Sequence, residues 1–174
     1  RGLGDVYKRQ PMYEFDMPAA AYGDNAAAQA ESIFDGGSVT ELYSDYGCAS
    51  YTAVATLAGS AVGVAAVNKT ADKLTSDDCT KLARFVRFCD SFAVPVITLV
   101  DTEGFAGSTE TEQAGAVKSM AKLAHAYAQA TTIKISVVTG KAYGASFIAL
   151  AGKGANADLV YACENAVITP LNPL

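Results

Sequence analysis

The sequence holds a single histidine, His125, and no pair of cysteines at metal-ligand spacing. Its four cysteines, Cys48, Cys79, Cys89 and Cys163, are scattered, which argues against a zinc ribbon, and no metal site is expected. No secretory signal is visible, so four free thiols in a cytoplasmic protein are expected. Half of the residues are hydrophobic (51%), yet no run approaches the roughly 20 apolar residues of a membrane-spanning helix. Basic residues are outnumbered, 13 against 18, for a formal charge of −5. Acidic surface repels a phosphate backbone, so general nucleic-acid binding is set aside. No Gly-x-Gly-x-x-Gly follows a strand, which removes a dinucleotide site. Thr139 to Gly144 tempts comparison with a phosphate loop, but Ile135 and Ala142 stand where that motif needs Gly and Ser or Thr.

What is present concentrates in Lys134 to Gly154, KISVVTGKAYGASFIALAGKG. Ile135 to Val138 is a β-branched, apolar run of the kind buried on both faces of a parallel sheet. Gly140 and Gly144 then punctuate a tight turn, and small helix formers follow from Ala145. This pattern predicts strand, turn, helix. The first amides of a helix lack partners within it and, with the helix dipole behind them, form a site for negative charge. Small residues at Gly144, Ala145 and Ser146 allow a ligand oxygen to approach the backbone closely. The expectation is an oxyanion hole at these three residues.

At 174 residues the chain is long enough for one domain with a core of its own. Residues 1–10 look like a translated adapter scar and are set aside; they carry three cations against one anion, so without them the formal charge is −7. Residues 11–33 read as linker or N-terminal arm, with a short helix over Ala26 to Phe34 before the Asp35-Gly36-Gly37 turn. Residues 34–174 read as a domain cut at both ends. Leu42 to Gly47 is a candidate edge element. Tyr51 to Leu57 and Ala61 to Val67, separated by Ala58-Gly59-Ser60, predict a β-hairpin. Thr75-Ser76-Asp77-Asp78 predicts a helix start, and the Leu82, Phe85, Val86, Cys89 spacing carries the helix to about Ser91. Pro95 opens a strand over Val96 to Val100, and a loop over Asp101 to Thr109 follows. One long helix over Glu110 to Ala130 is expected, with Ala114, Val117, Ala121 and Ala124 as its buried stripe. Short strands close the chain at Leu159 to Ala162 and Val167 to Ile168. Alternating strands and helices predict an α/β fold with largely parallel pairing.

Several residues carry two readings. Ser146 at a strand-to-helix turn half-resembles a nucleophile elbow, which makes a serine hydrolase the enzymatic rival, but a base and an orienting acid must then lie within reach. His125 alone reads as a surface or interface residue. Asp101 is either catalytic or a loop cap. Glu110 and Glu112 read as helix-start residues. Lys141 either steers an anion or is solvated. Tyr143 either packs on a ligand ring or fills the core.

VPVITLVDTEGF (Val94 to Phe105) and TIKISVVTGKAYGASFIALAGK (Thr132 to Lys153) resemble carboxyltransferase subunits of biotin-dependent acyl-CoA carboxylases and decarboxylases. So do KLARFVRFCDSF (Lys81 to Phe92) and ANADLVYACENAVITP (Ala155 to Pro170). The resemblance runs from about Phe34 to Pro170. It implies a crotonase-like (ClpP/crotonase) ββα spiral, this chain being most of the C-terminal of two such domains. It further implies carboxyl transfer between biotin, carried covalently on a partner, and an acyl-CoA. Implied partners are the biotin carboxyl carrier and biotin carboxylase components and a second copy of the subunit, with active sites across a dimer interface. By the same resemblance the Ala145 and Ser146 amides, beside Gly144, cradle the biotin ureido oxygen, with Lys141, Tyr143 and Phe105 around the biotin. The chain departs from the family's usual pattern at Glu103 (Pro), at Ala145-Ser146 (Gly-Ala) and near Cys163-Glu164 (Trp-Pro). A crotonase hydratase or isomerase would need paired carboxylates near the turn. A non-catalytic assembly fragment is the non-enzymatic alternative.

Overall fold

The computed structural model describes residues 25–70, 73–150, 152 and 157–170. Residues 1–24 therefore lie outside it, including the expected adapter scar and most of the expected arm. The elements are, in order, α1 (Ala26–Ile33), β1 (Thr40–Glu41), β2 (Tyr51–Leu57), β3 (Ser60–Ala66), α2 (Ser76–Ser91), β4 (Val96–Thr102), α3 (Thr109–Gln113), α4 (Ala116–Gln129), β5 (Lys134–Tyr143), α5 (Ala145–Leu150), β6 (Leu159–Ala162) and β7 (Val167–Thr169). The strands form one mixed sheet in the order β1-β2-β3-β4-β5-β6, with β7 beside the second half of β5. No helix among the described residues is long and apolar enough to cross a membrane.

The hairpin β2–β3 is antiparallel, and Leu57 pairs with Ser60 across a two-residue loop. Ala58 (φ 50°) and Gly59 (φ 79°) are both left-handed. Two positive φ values in that loop give the turn whose twist matches the strands it joins. Asp35 supports it: its carboxylate accepts the Ala58 and Gly59 amides and the Thr56 hydroxyl. Burial alone would raise the Asp35 pKa, but those three bonds outweigh it and hold the carboxyl below its usual range.

Helix α2 begins as its sequence predicts. Thr75 and Asp78 form a reciprocal capping box, and Asp78 also accepts the Ser50 amide at 2.8 Å. Lys81, one turn on and 1% exposed, donates to the carbonyls of Gly47 and Ser50. Burial, with Lys69 adding repulsion, pulls its pKa down. Two residues of α2 thus clamp the 43–50 loop. The edge strand expected over Leu42 to Gly47 lies instead at Thr40–Glu41, and Leu42 to Gly47 forms turns, with Tyr43 and Gly47 at positive φ.

The sheet has a hydrophobic cluster on each face. Leu82, Phe85, Val86 and Cys89 of α2 pack with Leu123 and Tyr127 of α4 and Leu150 of α5 against Val96, Val100 and Val138. On the other face Ala26 and Ala30 of α1 pack with Phe34 against Tyr51, Val64 and Leu99. Each fully buried Val, Leu or Phe contributes about 1.5–3 kcal/mol relative to exposure. Helix α1 therefore docks on the sheet, although it falls inside the stretch expected as linker or arm.

The long helix expected over Glu110 to Ala130 is two helices. Gly115 sits at φ 90°, outside the helical region, and separates α3 from α4. The expected stripe also differs. Val117 is 60% exposed, and Ala114 and Ala121 face solvent. Ala116, Leu123, Ala126 and Tyr127 are buried in their place. Leu123 and Tyr127 lie four residues apart and carry far more apolar area than alanines, so they decide which face turns inward. The Tyr127 hydroxyl pairs with Thr98 at 3.0 Å.

Asp90 joins the end of α2 to the start of β5. Its Oδ1 accepts the Thr131 and Thr132 amides at 2.7 and 2.9 Å. The amides of Thr132 and Thr131 are the main reason its pKa lies below the usual carboxylate value. A carboxylate depressed in the folded state stabilises fully above its unfolded pKa of about 3.9, and that stabilisation is lost as pH falls through the lower folded value. Asp90→Asn should therefore lower the thermal midpoint at pH 7, and the gap to wild type should close as the pH is taken towards 2.

Candidate functional site

Strand β5 is ten residues long rather than the short run expected, because it continues through Gly140 to Tyr143. Val100 pairs with Val138 and Thr102 with Ala142, so β5 advances further than β4 and bulges at Thr139 to Lys141. The Asp101 carboxylate fills the irregularity and accepts the Lys141 amide at 2.8 Å. A Cβ on Gly140 would stand 2.4 Å from that carboxylate. Gly140 therefore marks a bulge and not, as its spacing suggests, a turn. Of the two readings of Asp101, the structure shows the structural one: it replaces a missing ladder acceptor.

The turn itself is Gly144, at φ 59°. Its amide donates to the Thr169 carbonyl at 2.9 Å, and a Cβ there would meet the Pro170 carbonyl at 3.2 Å. This corrects the expectation that the Gly144 amide is a free donor: β7 uses it. The Ala145 and Ser146 amides open α5, and no acceptor among the described residues takes either.

In front of this junction lies a cleft of about 350 Å³. The loop after β4 forms one wall and is fixed by the segment ahead of α2. Leu74 donates its amide to the Gly104 carbonyl at 3.0 Å and accepts the Ala106 amide at 2.8 Å. Gly104, at φ 118°, also donates its amide to Thr102 Oγ1. Phe105, Met120, Tyr143 and Ala116 make the cleft largely apolar, with Gly144 and Ala145 opposite the loop and Pro170 beside them.

Of the residues singled out in the sequence, Gly144, Ala145, Tyr143 and Phe105 meet around this one cleft. Ser146 stands behind the wall, fully buried, and its hydroxyl donates to the Tyr143 carbonyl at 2.7 Å. A serine so placed is not presented to a substrate in the cleft. Lys141 is not part of the lining. Its Nζ lies 2.7 Å from Glu103 Oε1 on the exposed side. That hydrogen bond and the charge it carries lower the Glu103 pKa and raise that of Lys141, although solvent screens the pair. His125 is exposed on α4. Glu103, Glu112, Ala116, Met120 and Pro170 also line the cleft, and none stood out in the sequence as a site residue. Glu112 and Met120 are eight positions apart across the Gly115 break, a relation that helical periodicity hides.

A family model described as the carboxyl transferase domain matches residues 19–174. A putative propionyl-CoA carboxylase beta chain of Bacillus subtilis (strain 168) is 43% identical over 103 residues, 59% of this chain and 20% of that protein. The methylmalonyl-CoA decarboxylase subunit alpha of Propionigenium modestum is 34% identical over 160 residues, 91% of this chain and 31% of the relative. Among solved structures, the transcarboxylase 12S hexamer with hydrolysed methylmalonyl-coenzyme A bound superposes with a TM-score of 0.82 at 35% identity, over 89% of this chain and 31% of that one. The beta subunit of a geranyl-CoA carboxylase from P. aeruginosa gives 0.81 at 25% identity, over 94% and 36%. The chain thus spans between about a fifth and about a third of the length of these relatives.

Proposed function

The chain belongs to the carboxyl transferase domain family, with its crotonase-like fold, and from that premise we propose that it supplies the biotin side of a biotin-dependent acyl-CoA carboxyltransferase. The observation that carries the reading is the cleft at the β5–α5 junction, apolar on its walls and open to the Ala145 amide. A biotin head is a neutral bicycle with one strongly accepting ureido edge. Phe105, Met120 and Tyr143 offer it apolar contact, and the Ala145 amide offers the edge a donor. When bound, carried on a partner protein, biotin supplies a nitrogen that accepts or releases a carboxyl group. The chain's own residues hold the ring, exclude water from it, and place the Ala145 amide where negative charge grows on an oxygen. Removing one such donor typically costs about 3 kcal/mol of barrier. The acyl-CoA and its α-carbon belong to the other half of the reaction. We read that half as lying on a second crotonase-like domain, brought to this cleft across a homo-oligomer interface.

No titrating side chain is required at the amides, which suits a turn without histidine or carboxylate at residues 144–146. The serine hydrolase alternative loses support from the burial of Ser146 and the engagement of its hydroxyl. The test is titration of this chain with biotin methyl ester and, separately, with propionyl-CoA, followed by amide NMR. Saturable shifts of the Ala145 and Gly104 resonances with the ester, and not with the thioester, are expected. The opposite pattern would place the acyl-CoA in this cleft and overturn the assignment.

A further inference from the structure

The two walls of the cleft come from neighbouring strands. Gly104 to Gly107 follow β4, whereas Tyr143 to Ala145 close β5 and open α5. The register between the strands therefore decides whether the walls face each other, and that register changes just ahead of the cleft. From Val100–Val138 to Thr102–Ala142, β4 advances two residues while β5 advances four. In a regular ladder Thr102 would face Gly140, and Tyr143 and Ala145 would lie about 7 Å further along the strand. Asp101 spans the irregularity, its Oδ1 accepting the Lys141 amide at 2.8 Å. Gly140 is not at positive φ, so its position calls for space and not for backbone freedom. A Cβ there would stand 2.4, 2.5 and 2.8 Å from Oδ1, Cγ and Oδ2 of Asp101. The carboxylate fills the volume that a side chain at 140 would need.

We propose that Asp101 is a positioning residue for the cleft and that Gly140 is its obligatory partner. Through the Lys141 amide, Asp101 holds the end of β5 at the register that sets Tyr143 and the Ala145 amide opposite Phe105. Asp101 is not part of the lining and acts only through the strand. β7 pairs with Lys141 to Tyr143 on the other side and with no other strand. It follows β5 and does not tie it to β4. The Lys141–Glu103 ion pair makes the same crossing as Asp101, but solvent screens it and it contributes little. A carboxylate accepting a backbone amide is a charge-assisted bond, roughly twice as strong as a neutral one. Asp101 is therefore the stronger of these two side-chain ties.

The test compares Asp101→Ala, Asp101→Asn, Gly140→Ala and the double variant Asp101→Ala/Gly140→Ala with Asp90→Asn, which removes a carboxylate at the other end of β5. Amide spectra of the free proteins come first. The Phe105, Tyr143 and Ala145 resonances should move in Asp101→Ala and Gly140→Ala. They should stay near their wild-type positions in Asp90→Asn and in Asp101→Asn, whose carbonyl oxygen still accepts the Lys141 amide. Affinity for biotin methyl ester, a measurement that rests on the biotin reading above, is then taken by titration. It should fall about tenfold in Asp101→Ala and Gly140→Ala, the scale expected when a contact group is displaced by about 1 Å. It should hold in Asp101→Asn and in Asp90→Asn, and the latter separates position from stability because it weakens the fold with the cleft intact. The double variant should bind no more weakly than Asp101→Ala, because its added Cβ enters space the carboxylate has left. Cleft resonances unmoved in Asp101→Ala and Gly140→Ala overturn the inference. So does an Asp101→Asn as impaired as Asp101→Ala, or a double variant in which the two losses simply add. Should Asp101→Ala not fold, Gly140→Ala carries the same expectations, since it displaces the carboxylate without removing it. If wild type does not bind the ester, the biotin reading falls, and the spectra of the free proteins decide the positioning role by themselves.

Discussion

Ala145→Val is expected to abolish carboxyl transfer, and biotin-ester binding with it, while the protein stays folded. Ala145 is exposed on the cleft wall as the first residue of α5. Valine there adds two methyl groups in front of the Ala145 amide and fixes them, because a β-branched side chain has little rotamer freedom on a helix. Losing that donor, at about 3 kcal/mol, costs on the order of 10² in rate, and the two methyl groups, standing where the ring must bind, take away the remainder. The stability change is expected to be small, about 0.5 kcal/mol, since the site is exposed and valine's helix propensity falls only modestly below alanine's. Ala145→Gly is the paired control. It clears the same space and should bind the ester with near wild-type affinity. Transfer at a wild-type rate by the valine variant would show that the Ala145 amide does not face the reacting group.

Asp78→Ala is expected to be strongly destabilising, although it lies away from the cleft. Asp78 is fully buried. One oxygen accepts the Ser50 amide, and the other accepts the Thr75 amide and hydroxyl. Alanine removes the capping box, worth about 1 kcal/mol. It also strands the buried Ser50 amide, at about 1–3 kcal/mol. Lys81, buried beside the same loop, loses a compensating negative charge as well. The sum is about 3 kcal/mol, a large share of the 5–15 kcal/mol typical of a domain, and about 6–12 °C in thermal midpoint for a chain of this size. Denaturant unfolding should show a lower midpoint at unchanged slope. Asp78→Asn keeps the shape and should recover part of the loss. If both variants unfold like wild type, the clamp between α2 and the 43–50 loop carries no stability.

The two expectations draw on different kinds of information. Asp78 was readable as a helix-start residue because a capping box is written within four consecutive positions. Its hold on Ser50, twenty-eight residues away, was not. The same contrast runs through the site. The strand, the turn at Gly144 and the helix from Ala145 follow from local propensity, as does the hairpin at Ala58-Gly59. Gly140 has the same composition signal as Gly144 and a different role, because its role depends on Asp101 of the neighbouring strand. Glu103 and Lys141 are thirty-eight positions apart, and nothing in either local stretch announces that they meet. The break at Gly115 was hidden by the good helix formers around it. The wrong stripe on α4 arose because alanines fit either face, and only the sheet beneath decides between them.

The sequence by itself determined most of the elements and their order, the acidic balance, the small residues at the β5–α5 junction and the family. These properties are local or compositional, and they survive without knowledge of any contact. The tertiary structure alone decided which amides find an acceptor, since β7 takes that of Gly144 and no acceptor among the described residues takes those of Ala145 and Ser146. It alone gathered Phe105, Glu112, Met120 and Pro170 into one cleft with Ala145. The reason is physical: a hydrogen bond or a cavity wall is a relation between segments far apart in the chain, and only packing brings those segments together.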